Sequence, residues 1–365
     1  MKTSERKEKV AIIAVQKDKE SLDLEELEGL IEALDGEVIL KIVQKRKNFD
    51  SATYIGKGKL KELANLKNSL GFKKVVAYHN LTASQIRNLE NNLNCKVLDK
   101  SDIILEIFSK RAKTKVAKLQ IELALLMHKL ARLKGKGVNL DNPGARGKGE
   151  TLLEIEKRSI RQRIYKLKKE IEDLSRHYEL TRKSRKRQGF KTVAIVGYTN
   201  AGKSTLLKAL TKENVFIKNM PFATLDTKTK KVFHKGKTFL LTDTIGFIKD
   251  LPHELVASFK ATLEECKYVD LLLIVIDISD KNWENQYKTA KKVLKDLQAW
   301  NKKKLVVLNK LDNLVSSKEE CKNFYHEVCF LLKKENIPYI FISAKKGWNL
   351  EELKDKILEL LFDKN

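Results

Sequence analysis

Residues 197–204 fit the pattern G-x-x-x-x-G-K-[ST] as Gly197, Tyr198, Thr199, Asn200, Ala201, Gly202, Lys203 and Ser204. An apolar run, Val193 to Val196, precedes them, and Ser204 and Thr205 open a segment to Leu210 that reads as a helix. That order supplies the strand, loop and helix this pattern needs. Gly197 and Gly202 let the backbone curl so that successive N–H groups point inward, a cradle for phosphate oxygens reinforced by the positive helix N-terminus. Lys203 would reach the β- and γ-phosphates, and the Ser204 hydroxyl would ligate Mg²⁺. Alone, the string also describes a glycine turn before a basic helix, and the later motifs decide between the two.

Asp243, Thr244, Ile245 and Gly246 follow a second apolar strand, Phe239 to Leu241. Asp243 stands at the strand tip, where a carboxylate can hold the metal through water, and Gly246 offers an unobstructed N–H to a γ-phosphate. Asn309, Lys310, Leu311 and Asp312 lie beyond a third strand, Leu305 to Leu308. Asp312 can accept from both guanine N1–H and the exocyclic amine, whereas adenine offers a lone pair and no amine there. Sites built on such bonds discriminate by about 10⁴ or more. Ser343, Ala344 and Lys345 follow the strand Tyr339 to Ile342 and would brace the base through backbone N–H groups. The chemistry these residues share is the binding of GTP and GDP with Mg²⁺.

Apolar strands that each end in a polar motif, with helical segments between, predict an α/β doubly wound domain carrying its ligand at the strand C-terminal ends. The segment from Lys230 to Thr242 departs from this alternation and reads as a hairpin turning at Lys235 and Gly236, hence one antiparallel strand. The layout resembles the Ras-like G domain over about residues 191–362.

A chain of 365 residues predicts two or three domains, and an apolar fraction of 42% suffices for their cores. Cys95, Cys266, Cys321 and Cys329 lack metal-like spacing and read as reduced thiols of a cytoplasmic protein. No signal peptide or twenty-residue apolar run is present, so secretion and membrane insertion are not expected. The longest apolar stretch, Val269 to Ile278, contains Asp270 and Asp277 and reads as a core strand.

Net charge is +26, and more than half of that excess falls on residues 100–189, with 25 Lys and Arg against 11 Asp and Glu. Apolar residues recur there at helical spacing and predict two long helices, about 101–134 and 150–183, packed as an antiparallel hairpin. A Gly-rich tip between them, residues 135–149, carries Arg146 and Lys148. A charge run is usually a solvated face. Here glycines let backbone and cations approach phosphates closely, so RNA contact through Arg146 and Lys148 is the expectation. The tip has no aromatic residue, so base stacking is not indicated.

Residues 1–100 alternate strand and helix on a smaller scale: strands at 10–15, 38–43, 75–78 and 96–98, helices at 22–34, 60–70 and 83–93. They predict a small α/β domain ahead of the hairpin (101–189) and the G domain (190–365). Its loop from Tyr54 to Gly58 lacks the G-K-[ST] ending and is expected to shape a strand-to-helix turn, not a second nucleotide pocket.

Across its whole length the chain resembles the HflX family of GTPases. The matching stretches are 53–59 (TYIGKGK), 107–115 (IFSKRAKTK), 117–123 (AKLQIEL) and 147–151 (GKGET), with 197–204, 222–226 (FATLD) and 243–247 (DTIGF). The resemblance implies a monomeric, ribosome-associated GTPase that binds the large (50S) subunit and splits or rescues stalled ribosomes under stress, its N-terminal region reaching into ribosomal RNA. The family loop is denser in glycine than Val138 to Pro143 here, which implies a stiffer tip. Spacing alone leaves Thr224, Thr227 and Thr229 as metal-covering threonines. The match of Phe222, Ala223, Thr224, Leu225 and Asp226 implies Thr224, whose hydroxyl would ligate Mg²⁺ and whose backbone would sense the γ-phosphate. Lys203, Thr224 and Gly246 are thus the expected catalytic residues.

Many G domains place a water-orienting glutamine after Gly246; Phe247 stands there instead. A phenyl ring neither donates to nor accepts from water, so unassisted hydrolysis is expected to be slow, with a reordered backbone, a cation or the ribosome supplying the missing arrangement. Asn200 resembles the asparagine that ligates K⁺ in some GTPases, and it is equally a turn-stabilising residue. A GTP-dependent assembly factor or RNA-binding scaffold is the alternative function. Asn309 and Asp312 disfavour an ATP-using kinase.

Overall fold

A computed structural model of the chain describes residues 7–18, 22–134, 152–187, 189–211, 228–244, 246–247, 264–316 and 326–362. The chain divides into two compact units, one of Met1–Arg111 with Lys118–Ile171 and one of Ala112–Ala117 with Glu172–Asn365. Among the described residues no helix is long and apolar enough to cross a membrane.

In the first unit β1 (Glu8–Gln16), α1 (Leu24–Glu32), β2 (Gly36–Lys45), α2 (Lys57–Leu70), β3 (Lys74–Ala77), α3 (Ala83–Leu93) and β4 (Lys96–Asp99) alternate. All four strands are parallel, in the order β2-β1-β3-β4. Val10 to Val15 are buried without interruption, as a strand covered on both faces requires. Local chemistry sets the helix ends. Thr82 and Gln85 form a reciprocal capping box at the start of α3, and α2 ends on Gly71 in the left-handed conformation (φ 72°).

Strand order reverses between β1 and β3, where an open α/β sheet keeps its ligand crevice. Tyr54 fills that place: it is fully buried, and its hydroxyl meets the Val15 N–H at 3.1 Å and His79 Nδ1 at 2.7 Å. Gly56 then precedes the first turn of α2 as its N-cap. The loop from Tyr54 to Gly58 therefore plugs the crevice and starts a helix.

The basic region holds α4 (Lys100–Arg111), α5 (Lys115–Lys134) and α6 (Leu152–Arg187). The single helix expected over 101–134 is two. The Thr114 hydroxyl accepts from the Ala117 N–H at 3.2 Å, an N-cap that begins α5 anew. In the first unit α5 and α6 run antiparallel, with Glu122 paired to Arg163 and Lys129 to Glu156, each at 2.7 Å. Arg146 and Lys148 lie outside the described residues.

The second unit is built on six strands in the order β10-β9-β8-β5-β7-β6. They are β5 (Lys191–Gly197), β6 (Lys228–His234), β7 (Lys237–Asp243), β8 (Leu271–Asp277), β9 (Lys303–Asn309) and β10 (Tyr339–Phe341). Around them lie α7 (Lys203–Thr211), α8 (Trp283–Asp296), α9 (His326–Lys334) and α10 (Leu350–Phe362). All pairings are parallel except β6 with β7, whose hairpin turns at Lys235 and Gly236, both at positive φ (45° and 76°). Every residue of the central strand β8 is buried. The Asp270 carboxylate just before it accepts from the Thr192 N–H (2.8 Å) and hydroxyl (3.0 Å), which ties β8 to β5.

Candidate active site

Two glycines make the phosphate loop possible. A Cβ on Gly197 (φ 148°) would sit 2.2 Å from the Val275 carbonyl oxygen of the adjacent strand, and one on Gly202 (φ 93°) would sit 2.2 Å from Asn309 Nδ2. Only glycine permits both the backbone angles and the close approach. Asn200 takes the left-handed conformation (φ 61°) between them and is exposed.

Lys203 opens α7, is buried, and donates through Nζ to the carbonyls of Gly197 (3.1 Å) and Tyr198 (2.7 Å). Burial lowers its pKa to about 8, and the Asp243 carboxylate only partly restores it. The Ser204 hydroxyl donates to Asp243 Oδ2 at 2.8 Å, bringing together residues 39 positions apart. One neutral and one anionic oxygen at that distance form a hard donor pair suited to Mg²⁺. Thr244 is fully buried and donates to the Ile195 carbonyl at 2.7 Å, so it anchors the strand end.

Gly246 lies against Lys203 and Thr199: a Cβ there would meet Lys203 Nζ at 2.9 Å and Thr199 Cγ2 at 3.0 Å. Phe247 follows with a buried side chain and pairs with Tyr198 in a parallel bridge. Phe222, Ala223, Thr224, Leu225, Asp226 and Ile245 lie outside the described residues.

At the base end, Asn309 is a clamp. Its Nδ2 donates to the Ala201 carbonyl (2.9 Å) and its Oδ1 accepts from the Ala344 N–H (3.0 Å), so one side chain joins three loops. Lys310 is left-handed (φ 63°), and its ammonium pairs with Asp277 Oδ2 at 2.7 Å. Leu311 is buried beneath the turn. The Ser343 hydroxyl donates to Asp312 Oδ1 at 2.6 Å and accepts from the Lys346 N–H at 3.0 Å, which fixes one carboxylate oxygen. Lys345 is exposed beside it. Sequence reasoning missed Asp277, whose Oδ1 also accepts from the Ser279 N–H and hydroxyl. Its signal was available: an apolar strand ending in aspartate, as β7 does.

One other cluster joins metal-ligating side chains among the described residues: Asp99, Asp102 and His128. The Arg132 guanidinium already occupies it, donating to Asp99 at 2.9 Å and Asp102 at 2.7 Å. Asp99 also accepts from the N–H groups of Leu81 and Asp102, and Asp102 from the Asp99 N–H and His128 Nε2. With every carboxylate oxygen engaged, the cluster is a structural ion network.

A parallel sheet with one antiparallel edge hairpin, a phosphate loop at the end of β5 and a base-recognition turn at the end of β9 is the architecture of a P-loop GTPase domain. Three family models match consecutive stretches: GTP-binding GTPase N-terminal over residues 21–109, GTP-binding GTPase middle region over 111–185, and 50S ribosome-binding GTPase over 192–310. A protein named GTPase HflX from Caldanaerobacter subterraneus subsp. tengcongensis is 43% identical over 97% of this chain and 80% of its own length. Another GTPase HflX, from Alkalihalophilus pseudofirmus, is 41% identical over 84% of this chain and 74% of its own. A solved GTP-binding protein from Sulfolobus solfataricus in complex with GDP superposes with a TM-score of 0.50 at 28% identity, covering 97% of this chain and 98% of that one. The chain belongs to the HflX family of GTPases.

Proposed function

We propose that the protein is a monomeric, cytoplasmic GTP-hydrolysing switch that associates with the large ribosomal subunit and splits or rescues stalled ribosomes under stress. The nucleotide half of this reading rests on Asp312, held by Ser343 with one oxygen free to face a guanine edge. The ribosomal half draws on the family model's description as a 50S ribosome-binding GTPase and on the basic excess over residues 100–189. In this reading residues 1–100 are a small α/β domain, 101–189 an RNA-binding hairpin acting through Arg146 and Lys148, and 190–365 the GTPase domain.

Hydrolysis asks the chain to hold the triphosphate, neutralise it and expose the γ-phosphate to water. Lys203 would exchange the carbonyls of Gly197 and Tyr198 for phosphate oxygens. Ser204 and Asp243 would hold Mg²⁺, with Thr224 joining them, and the metal when bound supplies charge neutralisation at the β- and γ-phosphates. Gly246 would offer its N–H to the γ-phosphate. Water orientation is the missing element. Phe247 is buried, and residues 191–365 contain no arginine to act as a finger within the domain. Beside a reordered backbone, K⁺ near Asn200 or the bound ribosomal subunit would supply the missing activation.

Sedimentation with purified large subunits tests the reading, with pelleting expected with GTP and not with GDP. Nucleotide-independent pelleting, or binding confined to immature particles, would replace the splitting role with an assembly role. Single-turnover cleavage measured in Na⁺ and K⁺, with and without large subunits, separates the two activators. Equal rates in all four conditions would remove both.

A further inference from the structure

The GTPase domain has a second concave, charged surface at the end of its sheet opposite the base-recognition turn. The N-terminal starts of β9 and β10 and the C-terminal end of α10 border a cleft of about 600 Å³. With β9 seven residues long, this cleft lies about 20 Å from Asn309. Lys291, Lys302, Lys303 and Lys304 line it with Trp300, and the carboxylates of Glu335 and Glu359 share the lining, so four cations stand against two anions.

The cations are held in place by packing. Lys291 and Lys304 sit over the Trp300 ring, 5.2 and 4.9 Å from its centroid. Lys303 donates to the Leu360 carbonyl at the end of α10 (2.9 Å). Burial lowers the Lys304 pKa, the nearby Glu335 charge offsets part of this, and the Lys291 ammonium lowers it further. Glu335 is spent inside the surface: it accepts from Lys291 at 2.6 Å and from the Tyr287 hydroxyl at 2.8 Å. Lys333 and Lys334, exposed on the last turn of α9, extend the positive surface past the cleft. Among the described residues no ion pair joins Lys302, Lys333 or Lys334; Lys333 and Lys334 are exposed, and Lys302 is half-buried in the lining that it shares with Glu359.

We infer that this lysine cleft binds the sugar-phosphate backbone of RNA, without sequence preference and independently of the nucleotide site. All of its cations are lysines, which meet phosphates as point charges, whereas bidentate carboxylate recognition favours arginine. The lysines come from α8, the entry to β9 and the end of α9, an array suited to a chain of successive anions. Trp300 already carries two ammonium groups, so it is not free as a platform for bases. Neutralising several phosphates at once releases condensed counterions, and affinity then depends on salt in proportion to the contacts made. The inference does not rest on the ribosomal reading, because naked RNA suffices as the probe.

The test uses the full chain and a fluorescein-labelled RNA hairpin, with anisotropy followed across a salt series in the absence of nucleotide. The combined variant Lys302→Gln, Lys333→Gln and Lys334→Gln removes no ion pair found among the described residues. It is expected to lower the slope of log K against log salt by about two to three units, with GTP affinity and melting temperature unchanged. The double variant Lys333→Gln and Lys334→Gln should lower the slope by about one to two units. The triple variant should lose affinity to the same extent for two hairpins of unrelated sequence. An unchanged slope in a folded triple variant overturns the inference. So does a triple variant whose loss of RNA affinity is matched by an equal loss of polyglutamate affinity, which would assign the cleft to an acidic protein, and so does a loss at least tenfold larger for one hairpin than for the other.

Discussion

The Thr199 N–H donates to the Phe247 carbonyl at 2.7 Å, and the Phe247 N–H donates in turn to the Gly197 carbonyl at 3.0 Å. The residue that follows Gly246 is thus tied to the phosphate loop by two backbone bonds, and its ring is 1% exposed. Its place is structural, so supplying the glutamine found in other G domains should not create a water-orienting group. Phe247→Gln removes a packed ring and buries an amide, at a cost of about 3 kcal/mol or more. Single-turnover cleavage should be no faster than in the parent, and the melting temperature should fall by about 6 °C or more. A tenfold rate gain at an unchanged melting temperature would show that the ring swings out and the glutamine takes over.

Lys203 makes nucleotide affinity and domain stability respond to pH in opposite directions. With its pKa lowered to about 8, the folded domain binds fewer protons than the unfolded chain up to the ordinary value of 10.5. Stability measured without added nucleotide therefore gains a contribution as pH rises across that window. Bound phosphates favour the ammonium form, so GTP affinity should be level below about pH 7 and fall by up to about tenfold per pH unit above 8. Calorimetry in buffers of different ionisation enthalpy should detect proton uptake on binding near pH 8.5. Lys203→Met should abolish both the uptake and the stability trend. Uptake that persisted in that variant would place the proton elsewhere.

In the proposed function Asp312 carries base choice through the oxygen that Ser343 leaves open. Asp312→Asn replaces an acceptor by a donor opposite the guanine amine, while xanthine has a carbonyl at that edge. Affinity for GTP should drop about 10²-fold or more and affinity for xanthosine triphosphate should rise. Ser343→Ala should weaken GTP binding by only about tenfold, since it loosens the carboxylate without removing it. Competition of each nucleotide against a fluorescent GTP analogue measures both, and a variant still preferring GTP over xanthosine triphosphate would remove Asp312 from base selection.

The phosphate loop was legible because its chemistry is local: Gly197 and Gly202 meet backbone requirements that few residues satisfy, and Lys203 and Ser204 follow directly. The hairpin at Lys235 and Gly236 was legible for the same reason. Asn309 was placed beside the base by its motif, yet its amide is used within the protein, bonded to partners 108 and 35 residues away. Linear spacing carries no trace of such a three-loop junction. The break between α4 and α5 was hidden because apolar periodicity continues on both sides, and only the Thr114 hydroxyl marks the new start. Tyr54 gave no signal at all, since an aromatic before Gly-Lys-Gly does not reveal that it fills a crevice between β1 and β3.

The network of Asp99, Asp102, His128 and Arg132 binds α5 to the end of β4 and the start of α4, and its energetics depend on the guanidinium. Burial and the neighbouring Asp102 charge raise the Asp99 pKa. Burial also pushes Asp102 upward, but its bonds from His128 and Arg132 outweigh this and bring it down to about 2. Arg132→Ala leaves two largely buried carboxylates facing each other without their cation, at a cost of about 3–5 kcal/mol at neutral pH. Protonating Asp99 would relieve that repulsion. A group whose folded pKa is raised stabilises below its unfolded value and loses that contribution as pH rises through the folded value. The variant should therefore recover part of its deficit relative to the parent as pH falls from 8 toward 5, in urea unfolding followed by circular dichroism. Arg132→Lys should retain more of the parent's stability than Arg132→Ala at pH 8. A deficit that is independent of pH would mean that the guanidinium acts through packing alone, with the carboxylates compensated by their backbone N–H donors.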